Sequence, residues 1–512
     1  MKVGVCIPMA ALAAALVAGL PAPGAEPELA TTRHQVRANG RTLAYTAHAG
    51  LIPILNNEAG EIRGRVFFVA YTLDQPKGQA PRPVTFLWNG GPGANSTLVH
   101  LSGFGPRRIR SSDDPARLPA VEPVMEDNDA TWLEFTDLVF VDPVGTGFSR
   151  PAKAEYAAEF YRTLGDIAYI AEFIRVYLTR FDRLHAPIFL GGESYGTWRA
   201  SGVAEALEKK GRHVAGVMLI SGGIQMGPVS PDAVRVALFV PSRTAAAFYH
   251  RKLAPELLRD EAATLKEVER WALEEYAPAW TRRDQLTETE RDRVVARLAR
   301  YTGVDPSTID RKSLMMTSPQ FTSTLLRDQK LTLGRYDMRL KTAPGPPART
   351  GGAARSRVVM RYLRNELGFK SDLPYQGIEE GYWPTPPGRG ASIGVRWVWD
   401  QLDVPLNTTD ARAGALAKTS VGSGDGPPPA QPWLRRAMAI NPSIRVFLAA
   451  GLYDSLNSCA DNRYLAAHVE PPQFGRNITT GCYGGGHMMY DTKAARYQLK
   501  RDVAAFVASA IR

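Results

Sequence analysis

The sequence predicts an α/β protein: a largely parallel sheet with antiparallel hairpins at its start, interrupted by a large, mainly helical insertion. Three observations carry this expectation. Short apolar runs with strand character recur at 84–88, 138–141, 187–190, 217–220 and 444–450. Helix-like stretches lie between them, as the crossovers of a parallel sheet require. From 225 to 429 the pattern changes to charged and helical, with few apolar strands. At 512 residues the chain is also too long for one compact core. The expected organisation is an export signal at 1–25, a first core segment at 30–224, the insertion at 225–429 and a second core segment at 430–512.

Composition is that of an ordinary globular protein, 44% apolar and 22% charged. The formal net charge of +11 comes without a dense Lys/Arg run or an aromatic-interleaved basic patch. It reads as a contribution to solubility and excludes nucleic acid as the expected partner. At the N-terminus Lys2 supplies a charge, 9–20 is apolar and Ala-rich, and small residues and prolines follow at 22–25. This is the pattern of a secretory signal. The stretch is too short and too weakly flanked to be expected as a membrane span once the signal is removed. Cys6 falls inside it, which leaves Cys459 and Cys482. In an exported protein these two form a reasonable disulfide pair; in a reducing compartment they would be ordinary buried thiols.

Along the chain, 32–72 alternates as strands do, with Asn39-Gly40 and Glu58-Ala59-Gly60 as turns. Asn-Gly is the dipeptide of tight hairpins, since both residues tolerate a positive φ. The strand at 84–88 runs directly into Asn89-Gly90-Gly91-Pro92-Gly93. Such a loop can turn backbone amides toward a ligand; the simpler alternative is a tight turn. The strand at 138–141 ends in Asp142-Pro143-Val144-Gly145-Thr146-Gly147-Phe148-Ser149, on the face where a parallel sheet binds ligands. It lacks the G-K-[ST] ending of a phosphate loop. A helix over 164–178 is expected to return the chain to the next strand.

That strand, 187–190, leads into Gly191-Gly192-Glu193-Ser194-Tyr195-Gly196, and a helix-like stretch follows. G-x-S-x-G between a strand and a helix is the context of a nucleophile elbow, in which a sharp turn lifts the serine hydroxyl to the top of the sheet. The helix start behind Ser194 offers free backbone N–H groups to a developing negative charge. Alone, the motif fits a glycine-rich packing turn equally well. Within the insertion, Thr287 to Glu290 reads as a capping box before a helix to about 301. Asp305-Pro306 reads as a cap with proline at the first helical position. Proline- and glycine-rich loops are expected at 344–352 and 422–429. An insertion of this size reads as a lid over the site or as a separate, non-catalytic domain.

After the strand at 444–450, Gly451-Leu452-Tyr453-Asp454 places an Asp just past a strand end. Gly484-Gly485-Gly486-His487 then precedes a terminal helix over 494–511. The glycines are expected to free the loop that delivers the imidazole. A turn-forming Asp and a structural His are each common; together with Ser194 they complete the order Ser194, Asp454, His487. Asp142 precedes the serine and is expected to brace its own loop instead.

These segments resemble the serine carboxypeptidase family of the α/β-hydrolase fold. The resemblance rests on Trp88-Asn89-Gly90-Gly91-Pro92-Gly93, Asp142 to Ser149, Gly192-Glu193-Ser194-Tyr195-Gly196, the Gly-x-x-Asp ending at Asp454, and Gly486-His487-Met488. The export signal and the few cysteines look like a bacterial branch. The resemblance implies that Ser194 is the nucleophile, His487 the general base and Asp454 its orienting acid. The N–H groups of Gly91 and Tyr195 would form the oxyanion hole. Asn89, the Gly90 amide and Glu193 would bind the substrate's C-terminal carboxylate. Glu193 can pair with a carboxylate only if one of the two carries a proton, which matches the acidic pH preference the resemblance implies. A peptide is the expected substrate, with no cofactor and no metal. The chain departs from the family at Gly103, where many members have a glutamate that supports the carboxylate site, and at Ala94, where a cysteine is common. The leading expectation is an exported carboxypeptidase; the alternative is an esterase or acyltransferase on the same scaffold.

Overall fold

The computed structural model describes residues 29–76, 78–110, 112–117, 122–227, 229–343, 352–377, 393–400 and 431–511. The expected signal at 1–25, with Cys6, and the loop expected at 422–429 lie outside the described residues, as does most of the one at 344–352. Gly352 itself opens the helix Gly352–Arg361.

Strands β1 (Leu29–Ala38), β2 (Arg41–Leu55) and β3 (Ile62–Leu73) form an antiparallel meander. Its first turn, Asn39-Gly40, has φ of 48° and 72°, the paired positive values that match the twist of a two-residue hairpin. The sheet continues through β5 (Asp137–Val141), β4 (Val84–Trp88), β6 (Ile188–Glu193), β7 (Val214–Ile220), β8 (Arg445–Gly451) and β9 (Ile478–Tyr483). From β5 onward every pairing is parallel. β4, β5 and β6 are buried at every position, as expected of strands covered on both faces.

One face of the sheet carries α1 (Thr163–Arg180), α2 (Gly196–Lys209) and α3 (Trp433–Ile440); Phe173, Val203 and Leu434 pack there on Phe86, Leu190 and Val446. On that side as well, Leu465 of α4 (Cys459–His468) joins the cluster. The opposite face carries α5 (Lys493–Ala510), whose Leu499, Val503 and Phe506 meet Phe189, Met218 and Phe447. Neighbouring strand residues thus divide between two cores, the period-two pattern of a pleated strand. The insertion builds a third core of its own, around Val268, Trp271, Leu298 and Phe321. Its helix Glu288–Thr302 carries the complete Thr287/Glu290 capping box, and Asp305 caps the short turn Pro306–Thr308. The later part of the insertion behaves differently: Val359, Tyr362, Leu363 and Phe369 pack into the core of the sheet's α5 face.

Candidate active site

The ends of β4, β6, β7 and β8 converge on Ser194. The serine follows β6 directly and holds φ at +59°, a left-handed conformation that is strained for a side-chain-bearing residue. Two neighbours hold it there: Ser194 N–H donates to Ile220 O (2.9 Å), and Thr197 Oγ1 donates to Ser194 O (2.8 Å). The glycines around it permit close approach. A Cβ at Gly192 would fall 1.9 Å from Gly196 O, and one at Gly90 would fall 2.4 Å from Tyr195 N. The loop after β4 therefore lies directly against the elbow. Among the described residues, the backbone N–H groups of Gly90, Gly91 and Tyr195 have no acceptor in the protein.

Asp454 and His487 are both buried and joined by the Nδ1–H to Oδ2 hydrogen bond, 2.8 Å. The acid is held further by Leu456 N–H (2.8 Å to Oδ1) and Asn457 Nδ2 (2.8 Å to Oδ2). Burial works against a proton on His487, but the Asp454 carboxylate and then Glu193 outweigh it and raise its pKa. With Nδ1–H committed to Asp454, Nε2 is the nitrogen left to face the site. It is buried and makes no hydrogen bond. No hydrogen bond couples Ser194 Oγ to His487 Nε2. Bonds of this kind are often long in unliganded sites and tighten with substrate.

Nε2 instead lies 3.2 Å from Glu193 Oε1, within ion-pair distance. Glu193 is 2% exposed, and burial raises its pKa against the lowering pull of His487 and of the Asn89 amide. Asn89 is fully buried. Its Oδ1 accepts from Leu98 and Val99 N–H, 3.1 Å each. Both acceptor positions are thereby used, so Nδ2 must face Glu193 Oε2, to which it donates. Asn89, Glu193 and His487 form one continuous cluster beside the serine.

The histidine loop differs from expectation in one respect. None of Gly484, Gly485 and Gly486 adopts a positive φ. For two of them the use is steric: a Cβ at Gly486 would fall 2.3 Å from Tyr336 O, and one at Gly485 2.7 Å from Met489 Cα, whereas Gly484 faces open space. Tyr336, from the insertion, accepts the His487 backbone N–H through its carbonyl (2.5 Å), and its ring centroid lies 5.3 Å from the imidazole. Ser221 Oγ donates to His487 O (2.7 Å). Asp142 makes no hydrogen bond to His487 and braces its own region, accepting from Ser96 N–H (2.8 Å) and Tyr375 Oη (2.7 Å). A disulfide joins Cys459 at the start of α4 to Cys482 in β9, between the Asp454 and His487 loops. A Cβ at Gly103 would make only ordinary contacts, with Tyr490 at 3.5 Å and Leu98 O at 3.6 Å.

Tyr336, Asn457, Ser221 and the buried pair Asp166–Arg199 are site components the sequence did not single out. Only the last left a signal: Asp166 and Arg199 fall four residues before Ile170 and Val203, on the apolar stripes of their helices. Among the described residues no group of three or more His, Cys, Asp or Glu is placed to hold a metal ion. Nor is any helix there long and apolar enough to cross a membrane.

A family model for serine carboxypeptidases (peptidase S10) matches residues 40–222, the stretch that runs from the hairpins through the elbow. Over that stretch the chain is similar to the serine carboxypeptidase family. Pheromone-processing carboxypeptidases of Aspergillus niger and Aspergillus clavatus are similar to the same part of the chain. They are 30% identical over 182 residues and 33% over 175 residues, or 34% and 32% of the chain. The matches span only 27% and 25% of those relatives' own length. The crystal structure of a prohormone-processing carboxypeptidase from Saccharomyces cerevisiae superposes with a TM-score of 0.53 at 18% identity, covering 91% of each chain. That likeness shows the shared α/β-hydrolase fold.

Proposed function

We propose that the protein is an exported serine carboxypeptidase that releases C-terminal amino acids from peptides through an acyl-enzyme. Ser194 Oγ attacks the carbonyl of the last peptide bond while His487 Nε2 takes its proton. Asp454 keeps the imidazole in the tautomer that leaves Nε2 basic. The oxyanion accepts from the N–H groups of Gly91 and Tyr195. The tetrahedral adduct collapses as His487 returns the proton to the leaving amine, and the C-terminal residue departs. Water, deprotonated by His487, then attacks the acyl group on Ser194; collapse of the second adduct frees the shortened peptide and regenerates the hydroxyl.

The observation that carries the reading is Glu193 Oε1, 3.2 Å from His487 Nε2 and bonded to Asn89 through its other oxygen. Simple ester hydrolysis has no need of a buried carboxyl against its general base. A substrate ending in a free carboxylate does: a protonated Glu193, the Asn89 amide and the Gly90 N–H together offer donors to it. The raised pKa of Glu193 supports that protonated form. Export rests on the apolar stretch at 9–20 and the residues after it. Mass spectrometry of a mixed peptide library after incubation with the purified enzyme tests the activity. Loss of single residues from C-termini is expected. Intact peptides alongside hydrolysed esters would overturn the reading in favour of an esterase or acyltransferase.

A further inference from the structure

We propose that Arg199, held by Asp166, is a positioning residue for the substrate's carboxylate: it aims the Gly90 N–H into the site. The inference rests on the carboxypeptidase reading. Both side chains are fully buried, each at 0% exposure. Arg199 Nε donates to Asp166 Oδ1 (3.0 Å) and Oδ2 (2.8 Å), and Nη1 donates to the backbone carbonyl of Asn89 (2.9 Å). Tyr195 Oη donates to the same carboxylate, 3.0 Å from Oδ2. One ion pair, carried by α1 and α2, thus grips both backbone segments that flank the serine: the loop after β4 and the elbow itself.

The geometry of the peptide unit turns this grip into function. Asn89 C=O and Gly90 N–H belong to one planar trans peptide, so they point in opposite directions. Fixing the carbonyl toward Arg199, in the protein interior, sends the N–H the other way. Among the described residues nothing in the protein accepts from that N–H. Asn89 also carries the amide that touches Glu193, so the same anchor fixes the origin of two of the three carboxylate donors. A guanidinium suits the task because its rigid fork reaches an acid and a carbonyl together; a lysine ammonium on a flexible stem does not hold that angle.

The test compares a peptide ending in a free acid with its C-terminal amide, on wild type, Arg199→Lys and the double variant Asp166→Leu/Arg199→Met. The double variant replaces both charges by apolar groups, the exchange that buried ion pairs tolerate best; Arg199→Lys keeps a charge beside Asp166 if the double variant fails to fold. In each folded variant the free acid is expected to lose about tenfold more kcat/KM than the amide, mainly through KM, as expected when one charge-assisted hydrogen bond is misaligned. Equal losses on both peptides would mark the pair as structural only and overturn the inference, as would unchanged kinetics. A wild-type enzyme that treats acid and amide alike would overturn the carboxypeptidase reading, and this inference with it.

Discussion

At the scale of single residues, the site depends on groups held in states they would not adopt in water. Ser194 keeps a positive φ, and Glu193 keeps a carboxyl away from solvent against the imidazole. With Ser194 as the proposed nucleophile, Ser194→Ala is expected to lower turnover by several orders of magnitude with folding intact, since a nucleophile and its base act as one unit. Asp454→Asn should fall severely as well, by destabilising the productive tautomer of His487. Steady-state kinetics with circular dichroism on each variant checks both. Glu193 gives a pH signature. Its raised pKa means that the donor form is present below that value and lost as pH rises through it. Preference for a free-acid peptide over its amide should therefore fade with rising pH, and Glu193→Gln, a donor at every pH, should flatten the profile. A ratio independent of pH in the wild type would exclude this role.

Asp142 makes a separate prediction about stability. Burial pushes its carboxyl up from 3.8 to about 6, although Ser96 N–H, Tyr375 and Arg150 act the other way. Between those values the folded chain holds a proton that the unfolded chain has released, so stability falls as pH rises through the window. The loss is at most about 3 kcal/mol for a shift of this size. Asp142→Asn keeps an acceptor for Ser96 N–H and offers an amide to Tyr375. The variant should lose less stability than wild type between about pH 4 and 7, as read by thermal unfolding at each end. Parallel curves for the two proteins would refute the assignment.

At the scale of elements, function arises where strand ends meet. The loop after β4 and the elbow after β6 approach so closely that neither can be changed alone. In Gly90→Ala the added Cβ would fall within 2.8 Å of Tyr195 N, Glu193 O and Gly196 N, all backbone atoms. Because backbone cannot swing aside as a side chain can, the elbow must shift, and displacements of this kind can cost about a hundredfold in turnover. Unaltered kcat in Gly90→Ala would argue against that interlock. The disulfide acts between elements too. Closing a loop with a sequence separation of 23 is worth about 3 kcal/mol in the chain-entropy account. Cys459→Ser/Cys482→Ser should lower the urea midpoint accordingly. Two thiols alkylated in the native protein without reduction would show that the bond does not form.

At the scale of the whole molecule, the insertion has its own core yet reaches into the site. Residues 335–339 tie together the loops that carry Asp454 and His487. Ser455 Oγ donates to Arg335 O (2.6 Å), Met338 N–H to Tyr453 O (2.9 Å), and His487 N–H to Tyr336 O. Arg339, 4% exposed, secures this strap through Asp337 and Thr492 Oγ1. Arg339→Met leaves Asp337 without its cation and should cost about 3 kcal/mol, the low end for breaking a buried pair. Amide exchange at Gly486 and His487 should quicken with it. Unchanged protection there would separate the insertion from the Asp454 and His487 loops.

The division between what was legible in sequence and what was not follows from the range of the interactions. The elbow, the hairpin turn at Asn39-Gly40, the strand runs and the capping box are local patterns, written in consecutive residues whose φ preferences and periodicity act within a few positions. Ser194, Asp454 and His487 were readable because each sits in such a pattern at a strand end. The purpose of the glycines before His487, the carbonyl of Tyr336, the Asn457 brace and the Arg199 grip on Asn89 were not. They depend on which backbones come within 3 Å of one another, and residues from 89 to 487 meet there only after the sheet has formed. The sequence by itself determined the fold class and the chain order of Ser194, Asp454 and His487, because local patterning encodes both. Tertiary structure alone decided how those groups are aimed, because aiming is a matter of contacts between segments that carry no record of each other in the chain.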